Sequence, residues 1–189
     1  MKVVEIFDSI QGEGKYVGVM CTFIRFAGCN LQCPFCDEKL KYDRAEEMSI
    51  DLIVRQVHMP RVILTGGEPT LQPDLIDLIE TLIQGDHQVA LETNGTGVIP
   101  PISGLWVTCS PKAPDYKVCP YDEVKLVVDE GTSDTKLIEI ASRMNTLVWL
   151  QPCDGAHIVD SVQRIKRLVR DYPRLFRAGI QLHKWYGVA

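Results

Sequence analysis

The sequence predicts an α/β fold: an open, partial parallel β/α barrel of about six strands, in one domain over 1–189. Three observations carry that expectation. Short β-branched runs, apolar on both faces, alternate with helix-length amphipathic segments, the pattern of strands buried in a parallel sheet. Repeated β-α connectivity implies right-handed crossovers between parallel neighbours. The chain has 189 residues, and a closed eight-stranded barrel usually takes about 250.

The strand-like runs are "MCTFIRF" (20–26), "RVILT" (61–65), "QVALET" (88–93), "LWVTC" (105–109), "EVKLVV" (123–128), "TLVWLQ" (146–151) and "GIQLH" (179–183). Helices are expected at 49–58 behind a Ser49 N-cap, and at 73–84 between Pro73 and Gly85. Two more follow at 133–144 and 159–171. Leu137, Ile140, Ala141 and Met144 share one face of the first, and Val162, Ile165, Leu168 and Val169 one face of the second. In such a fold the ligand site lies at the C-terminal strand ends, where the loops carry "TGGEP", "ETNG", "SPK" and "QPCD".

Composition narrows the class. Hydrophobic residues at 46% and charged residues at 24% are ordinary globular values, and a net charge of −5 argues against a nucleic-acid partner. No apolar run reaches the roughly 18 residues of a membrane span, and "MKVVEIF" is no secretory leader. A cytoplasmic protein without a membrane partner is expected. Seven cysteines, three of them close together, suggest metal binding in a reducing compartment rather than disulfides. Cys21, Cys109, Cys119 and Cys153 follow no ligand spacing and read as small buried hydrophobes.

"CNLQCPFCDE" holds the three, Cys29, Cys33 and Cys36, at C-x3-C-x2-C with no fourth nearby. A zinc ribbon needs a second C-x2-C pair, and a thioredoxin-like pair would leave Cys29 idle. Three thiolates make sense for a cubane [4Fe–4S] cluster that keeps one iron open to a non-protein ligand, such as the amino and carboxylate groups of S-adenosylmethionine. Arg25, inside an apolar strand, offers a charge-assisted fork for a substrate carboxylate.

The cysteine spacing, with Phe35 before the last cysteine, resembles the radical S-adenosylmethionine superfamily. "TGGEP" at 65–69 resembles its glycine-glycine-glutamate motif. "FDSIQGEG" (7–14), "TFIRFAGCN" (22–30), "SPK" (110–112) and "QLHKWYGVA" (181–189) are similar to the 7-carboxy-7-deazaguanine synthase family. That resemblance implies a reaction: 6-carboxy-5,6,7,8-tetrahydropterin is contracted to 7-carboxy-7-deazaguanine with loss of ammonia, in deazapurine synthesis towards queuosine. An adenosyl radical takes the hydrogen at C6 and later regains it, so that S-adenosylmethionine is regenerated.

It also implies site residues. Ile10, Gln11, Gly12, Glu13, Arg25, Thr65, Glu92, His183 and the Ala189 carboxylate would meet the substrate. Phe35, Asp37, Gly66, Gly67, Glu68, Asn94, Ser110, Lys112 and Gln151 would meet the cosubstrate. Magnesium is expected at Glu38, where the family usually has threonine; a carboxylate is a hard ligand that suits the ion. An external electron donor such as flavodoxin or ferredoxin, and a homodimer, complete the expectation. A glycyl-radical-enzyme activase, with a protein backbone as substrate, and a non-catalytic zinc-binding module are the alternatives.

Overall fold

Every parallel strand of the molecule ends at the same rim, and that rim is where the chemistry-bearing loops gather. The computed structural model describes residues 1–36, 44–112 and 121–188. Their strands are β1 (Lys2–Ile10), β2 (Met20–Phe26), β3 (Glu46–Glu47), β4 (Arg61–Gly66), β5 (Gln88–Thr93), β6 (Leu105–Cys109), β7 (Glu123–Val128), β8 (Val148–Pro152) and β9 (Phe176–Ala178). They form one sheet in the order β3-β1-β2-β4-β5-β6-β7-β8-β9, unclosed among the described residues. From β2 to β9 all neighbours pair in parallel. The fold is therefore the expected open partial barrel.

Its helices are α1 (Ile50–Val54), α2 (Leu75–Gln84), α3 (Asp134–Ser142), α4 (Ile158–Asp171) and α5 (Leu182–Tyr186). The i, i+3, i+4, i+7 spacing of Leu75, Leu78, Ile79 and Leu82 buries one face of α2 against Ile24, Phe26, Val62 and Leu64 of the sheet. Each such aliphatic side chain contributes about 1.5–3 kcal/mol on leaving water. Leu137, Ile165, Leu168 and Phe176 form a second cluster behind β7 and β8. On the concave side Cys21, Phe23, Ile63 and Ala90 fill the floor of the barrel. Both faces of the central strands are thus covered, which is why they read as unbroken apolar runs.

Several expectations need correction. The run 179–183 is not a strand: β9 lies at Phe176–Ala178, and Leu182 already opens α5. The sheet gains two antiparallel strands, because β1 pairs with β2 as a hairpin and β3 with β1. The helix at 49–58 is short, Ile50–Val54, although Ser49 caps it by accepting from Leu52 N at 3.3 Å. Asp74, not Pro73, stands at the N-cap of α2. Past its end the left-handed residue is Asp86 (φ 62), and Gly85 keeps an ordinary φ. On α4 Val162 is exposed and Ser161 is buried in its stead. No helix lies between β5 and β6, where Ile99 packs into the core instead. No helix of the described residues is long and apolar enough to cross a membrane.

Candidate active site

The strand ends enclose a cavity of about 780 Å³ whose wall includes Cys29, Cys33 and Cys36. The loop carrying them is fastened to the next one by backbone bonds. Gly67 N donates to Phe26 O at 2.9 Å, and Glu68 N to Gly28 O at 2.8 Å. Gly66 must be glycine: its φ is +121, and a β-carbon there would lie 2.3 Å from Phe26 O. The Asn94 amide approaches Cys29 Sγ at 3.9 Å and donates to Asn30 Oδ1 at 3.0 Å. Among the described residues no three Cys, His, Asp or Glu side chains converge as around a single ion. A cubane asks for something else, one thiolate on each of three irons.

Gly66 and Gly67 line the cavity, but the Glu68 side chain does not. It is fully buried, with Oε1 accepting from Thr70 N and from the Thr70 and Thr93 hydroxyls, and Oε2 from Asn94 N at 2.7 Å. Its carboxylate ties "TGGEP" to "ETNG" and turns away from the cosubstrate side expected for it.

Much of the remaining lining is polar and charged. Ile10, Gln11, Gly12, Glu13, Arg25, Thr65, Glu92 and His183, the described members of the substrate set that the resemblance implies, all line the cavity. Gln11 Nε2 donates to Glu92 Oε1 at 2.9 Å, and Thr65 Oγ1 to Glu92 Oε2 at 3.2 Å. Glu13 N donates back to Gln11 Oε1 at 3.2 Å, and the Glu13 carboxylate pairs with Lys125 Nζ and accepts from Gln181 Nε2 at 3.0 Å. Arg25 lies above the Phe7 ring and holds Glu5 Oε1 at 2.7 Å through Nε. The guanidinium therefore reaches the cavity from a fixed position.

Burial would raise the Glu13 carboxyl, but Lys125 outweighs it and holds the group below the usual carboxylate value. Burial likewise pulls Lys125 down, and Glu13, Glu92 and Glu123 more than offset that, leaving it above the ordinary lysine range. Lys112 is lowered, first by desolvation and then by repulsion from Lys125; it counts as exposed by area, so solvent moderates the effect. Cys21, on the floor rather than the rim, is pushed up to about 11 by burial.

Phe35, Asn94, Ser110, Lys112 and Gln151 of the expected cosubstrate set also line the cavity. Gln151 is 2% exposed, and both polar atoms of its amide lack a partner among the described residues. A buried amide left so is costly unless a ligand satisfies it. That orphan amide and the soft-donor cysteine loop on one cavity fit a cluster with a polar cosubstrate beside it. Asp37, Glu38 and Ala189 lie outside the described residues, as does Cys119.

The tail docks where expected. Leu182 N donates to Gly12 O at 2.9 Å, and Lys184 Nζ bridges Asp154 Oδ2 at 2.7 Å. Sequence reasoning missed Lys125, Gln181 and Asp154 on the cavity wall. The signal for Lys125 was present: a lysine amid the apolar run "EVKLVV" needs a buried counter-charge.

Comparisons with known proteins place this geometry. A family model described as "Radical SAM superfamily" matches residues 23–102. A 7-carboxy-7-deazaguanine synthase of Bacteroides thetaiotaomicron is 40% identical over 187 residues, covering 97% of this chain and 96% of that one. Its namesake from Nitratidesulfovibrio vulgaris is 34% identical, covering 99% and 98%. The crystal structure of QueE from Escherichia coli superposes with a TM-score of 0.80 at 24% identity, covering 96% of this chain and 94% of that one, and so shares the fold.

Proposed function

The chain belongs to the 7-carboxy-7-deazaguanine synthase family of the radical S-adenosylmethionine superfamily, and on that premise we propose that it converts 6-carboxy-5,6,7,8-tetrahydropterin to 7-carboxy-7-deazaguanine with loss of ammonia. The observation that carries this reading is one cavity lined both by a three-cysteine loop and by Arg25, Glu13 and Glu92. Neither a glycyl-radical activase nor a zinc-binding module is favoured by relatives that share one name over nearly the whole chain.

Cys29, Cys33 and Cys36 would hold a [4Fe–4S] cluster. Bound there, cluster and S-adenosylmethionine supply one-electron cleavage of a sulfonium and hence an organic radical able to take hydrogen from the pterin. The chain's own residues bind and orient. Gln151 would satisfy its amide on the cosubstrate, with Phe35, Asn94, Ser110 and Lys112 around it. Gly66 and Gly67 bring bare backbone close, and Glu68 fixes the two loops rather than touching the ligand. Asp37, beyond the described residues, completes this set by its place after Cys36.

Arg25 would fork onto the substrate carboxylate, and Glu92 and Glu13 would accept from its N–H edge. Ile10, Gln11, Gly12 and Thr65 shape that side, and His183 with the Ala189 carboxylate would close it. Glu38, beyond the described residues, would offer magnesium a hard oxygen ligand, and the ion would supply positive charge near the substrate carboxylate. The chain works as one domain over 1–189 and pairs as a homodimer, with flavodoxin or ferredoxin as electron donor. Anaerobic incubation with the carboxy-tetrahydropterin, S-adenosylmethionine and reductant, followed by mass spectrometry, should show carboxy-deazaguanine and ammonia. Deoxyadenosine alone, with the pterin unchanged, would reject the reading.

A further inference from the structure

Glu13 and Glu92 both line the cavity, and the Gln11 amide links the Glu92 carboxylate to the Glu13 backbone. Gln11 receives the Glu13 backbone N–H on its oxygen and donates its own N–H to Glu92. Left alone in a poorly solvated wall, the Glu13 carboxylate would be pushed towards its protonated form by desolvation. A protonated carboxyl presents an O–H donor in place of an acceptor. Lys125, on the concave face of β7, lies against this pair with its side chain 11% exposed and its ammonium on Glu13. The strand that presents it is anchored two residues earlier, on the same face. Glu123 accepts from Lys15 N at 3.0 Å, from the Thr108 hydroxyl at 2.8 Å and from Trp149 Nε1 at 2.8 Å. A chain of contacts therefore runs Thr65–Glu92–Gln11–Glu13–Lys125, linking β4, β5, the β1–β2 turn and β7 across the open barrel.

We propose that Lys125 is a positioning residue for substrate recognition: it holds the Glu13 carboxylate negatively charged and in place on the cavity wall, so that this wall, with Glu92, accepts the paired N–H groups of an amino-pyrimidinone ring. This rests on the substrate reading above and adds the residue that sets its specificity. Side-by-side N–H donors are the bidentate complement of a carboxylate. Each Glu92 oxygen carries one protein donor, Gln11 or Thr65, and an oxygen with two lone pairs has capacity for a second. Lys125 acts through these acceptors and need not touch the ring. The charged and titratable groups acting on Glu13 are Lys125 from β7 and His183 from α5, and Lys125 in turn feels Glu92 from β5 and Glu123 from its own strand and repels Lys112 after β6.

The test is binding of 6-carboxypterin, a stable fluorescent analogue, to the wild-type full-length protein and to variants between about pH 6 and 9, alongside turnover. Lys125→Met is expected to weaken binding at least ten-fold near neutrality and to recover it as pH rises and the wall ionises, while Lys125→Arg stays near wild type. His183 is common to all these proteins, so a limb present only in Lys125→Met belongs to the carboxylates. Should Lys125→Met not fold, Glu13→Gln/Lys125→Met removes both charges, the change a buried pair tolerates best. It is expected to fold yet bind at least ten-fold more weakly at every pH. Analogue binding equal to wild type in either methionine variant, or a loss in Lys125→Met that is the same at all pH values, would overturn the proposal while leaving the substrate reading intact. Wild-type protein that does not bind the analogue would overturn both.

Discussion

Gly12 and His183 touch across almost the whole chain: a β-carbon on Gly12 would lie 1.9 Å from the His183 ring Nδ1. With Leu182 N on Gly12 O, the C-terminal helix is built onto the turn that carries Gln11 and Glu13. Gly12→Ala should push α5 off the turn and raise the pterin KM, with the iron content unchanged. Removing 183–189 should abolish pterin turnover and spare the cluster. A charge-assisted contact contributes about 1.5–3 kcal/mol, so His183→Ala alone should weaken substrate binding roughly ten- to a hundred-fold. Isothermal titration with the pterin, beside iron analysis, checks all three.

Cys29, Cys33 and Cys36 share a loop at the cavity, whereas Cys21 and Cys109 are buried in the barrel wall. Alanine at any of the first three should abolish bound iron, acid-labile sulfide and cleavage of S-adenosylmethionine. Alanine at Cys21, Cys109 or Cys153 should leave iron and sulfide at wild-type levels. A full cluster in Cys33→Ala would contradict the assignment. Cys153 is the most informative control, because its thiol also lines the cavity.

Glu68 is a fully buried carboxylate with donors on both oxygens. Glu68→Gln replaces one acceptor oxygen by a donor, leaving a hydroxyl or backbone N–H without a partner. A loss of about 1–3 kcal/mol follows, which lowers Tm by about 2–4 °C per kcal/mol in a chain of this size. Cosubstrate affinity should fall less than stability, because the side chain stands off the cavity. Calorimetry and a binding titration on the same protein separate the two.

How far the sequence revealed this molecule depends on what each residue answers to. β2 and β4 to β8 were legible because both faces are buried and their residues record little else. β1 was not: "KVVEIFDSI" mixes Val3, buried in the core, with half-buried Glu5 and Phe7 on a hairpin arm. "GIQLH" reads as a strand from its composition, yet Gly179 abuts the Gln151 side chain and Leu182 turns onto Gly12, contacts set by distant partners. Within the site, the cysteine spacing and glycine turns were visible as local chemistry. Lys125 and Gln181 acquire meaning only once β7 and the tail are brought to Glu13.

Glu38 stands where the family resemblance places a magnesium-binding hydroxyl. A bound ion would neutralise its charge and let it share the metal with the substrate carboxylate. Turnover should then rise on titration with magnesium. Glu38→Gln should demand more of the ion, and Glu38→Thr should restore the dependence. Turnover indifferent to magnesium, with Glu38→Gln fully active, would remove the metal from this site.

The Glu13–Lys125 pair should also leave a signature on stability. Glu13 lies below its ordinary 4.5, so its contribution is complete above that value and is lost as pH falls through the depressed one. Lys125 lies above its ordinary 10.5, so its contribution is complete below that value and is lost as pH rises through the raised one. The two windows overlap from weakly acid to strongly basic solution. Urea denaturation of wild type and of Glu13→Gln/Lys125→Met, each from about pH 3 to 11, reads the pair together with the neighbours coupled to Lys125, because groups remote from it titrate alike in both proteins. The gap between the two stabilities should be flat between roughly pH 5 and 10 and move against the wild type beyond either end. Its value on the plateau should be small, since a buried pair and its neutral replacement differ little, whereas Lys125→Met alone should cost about 3–5 kcal/mol by stranding Glu13. A gap that stays flat through both extremes would mean that Glu13 and Lys125 do not titrate as a pair.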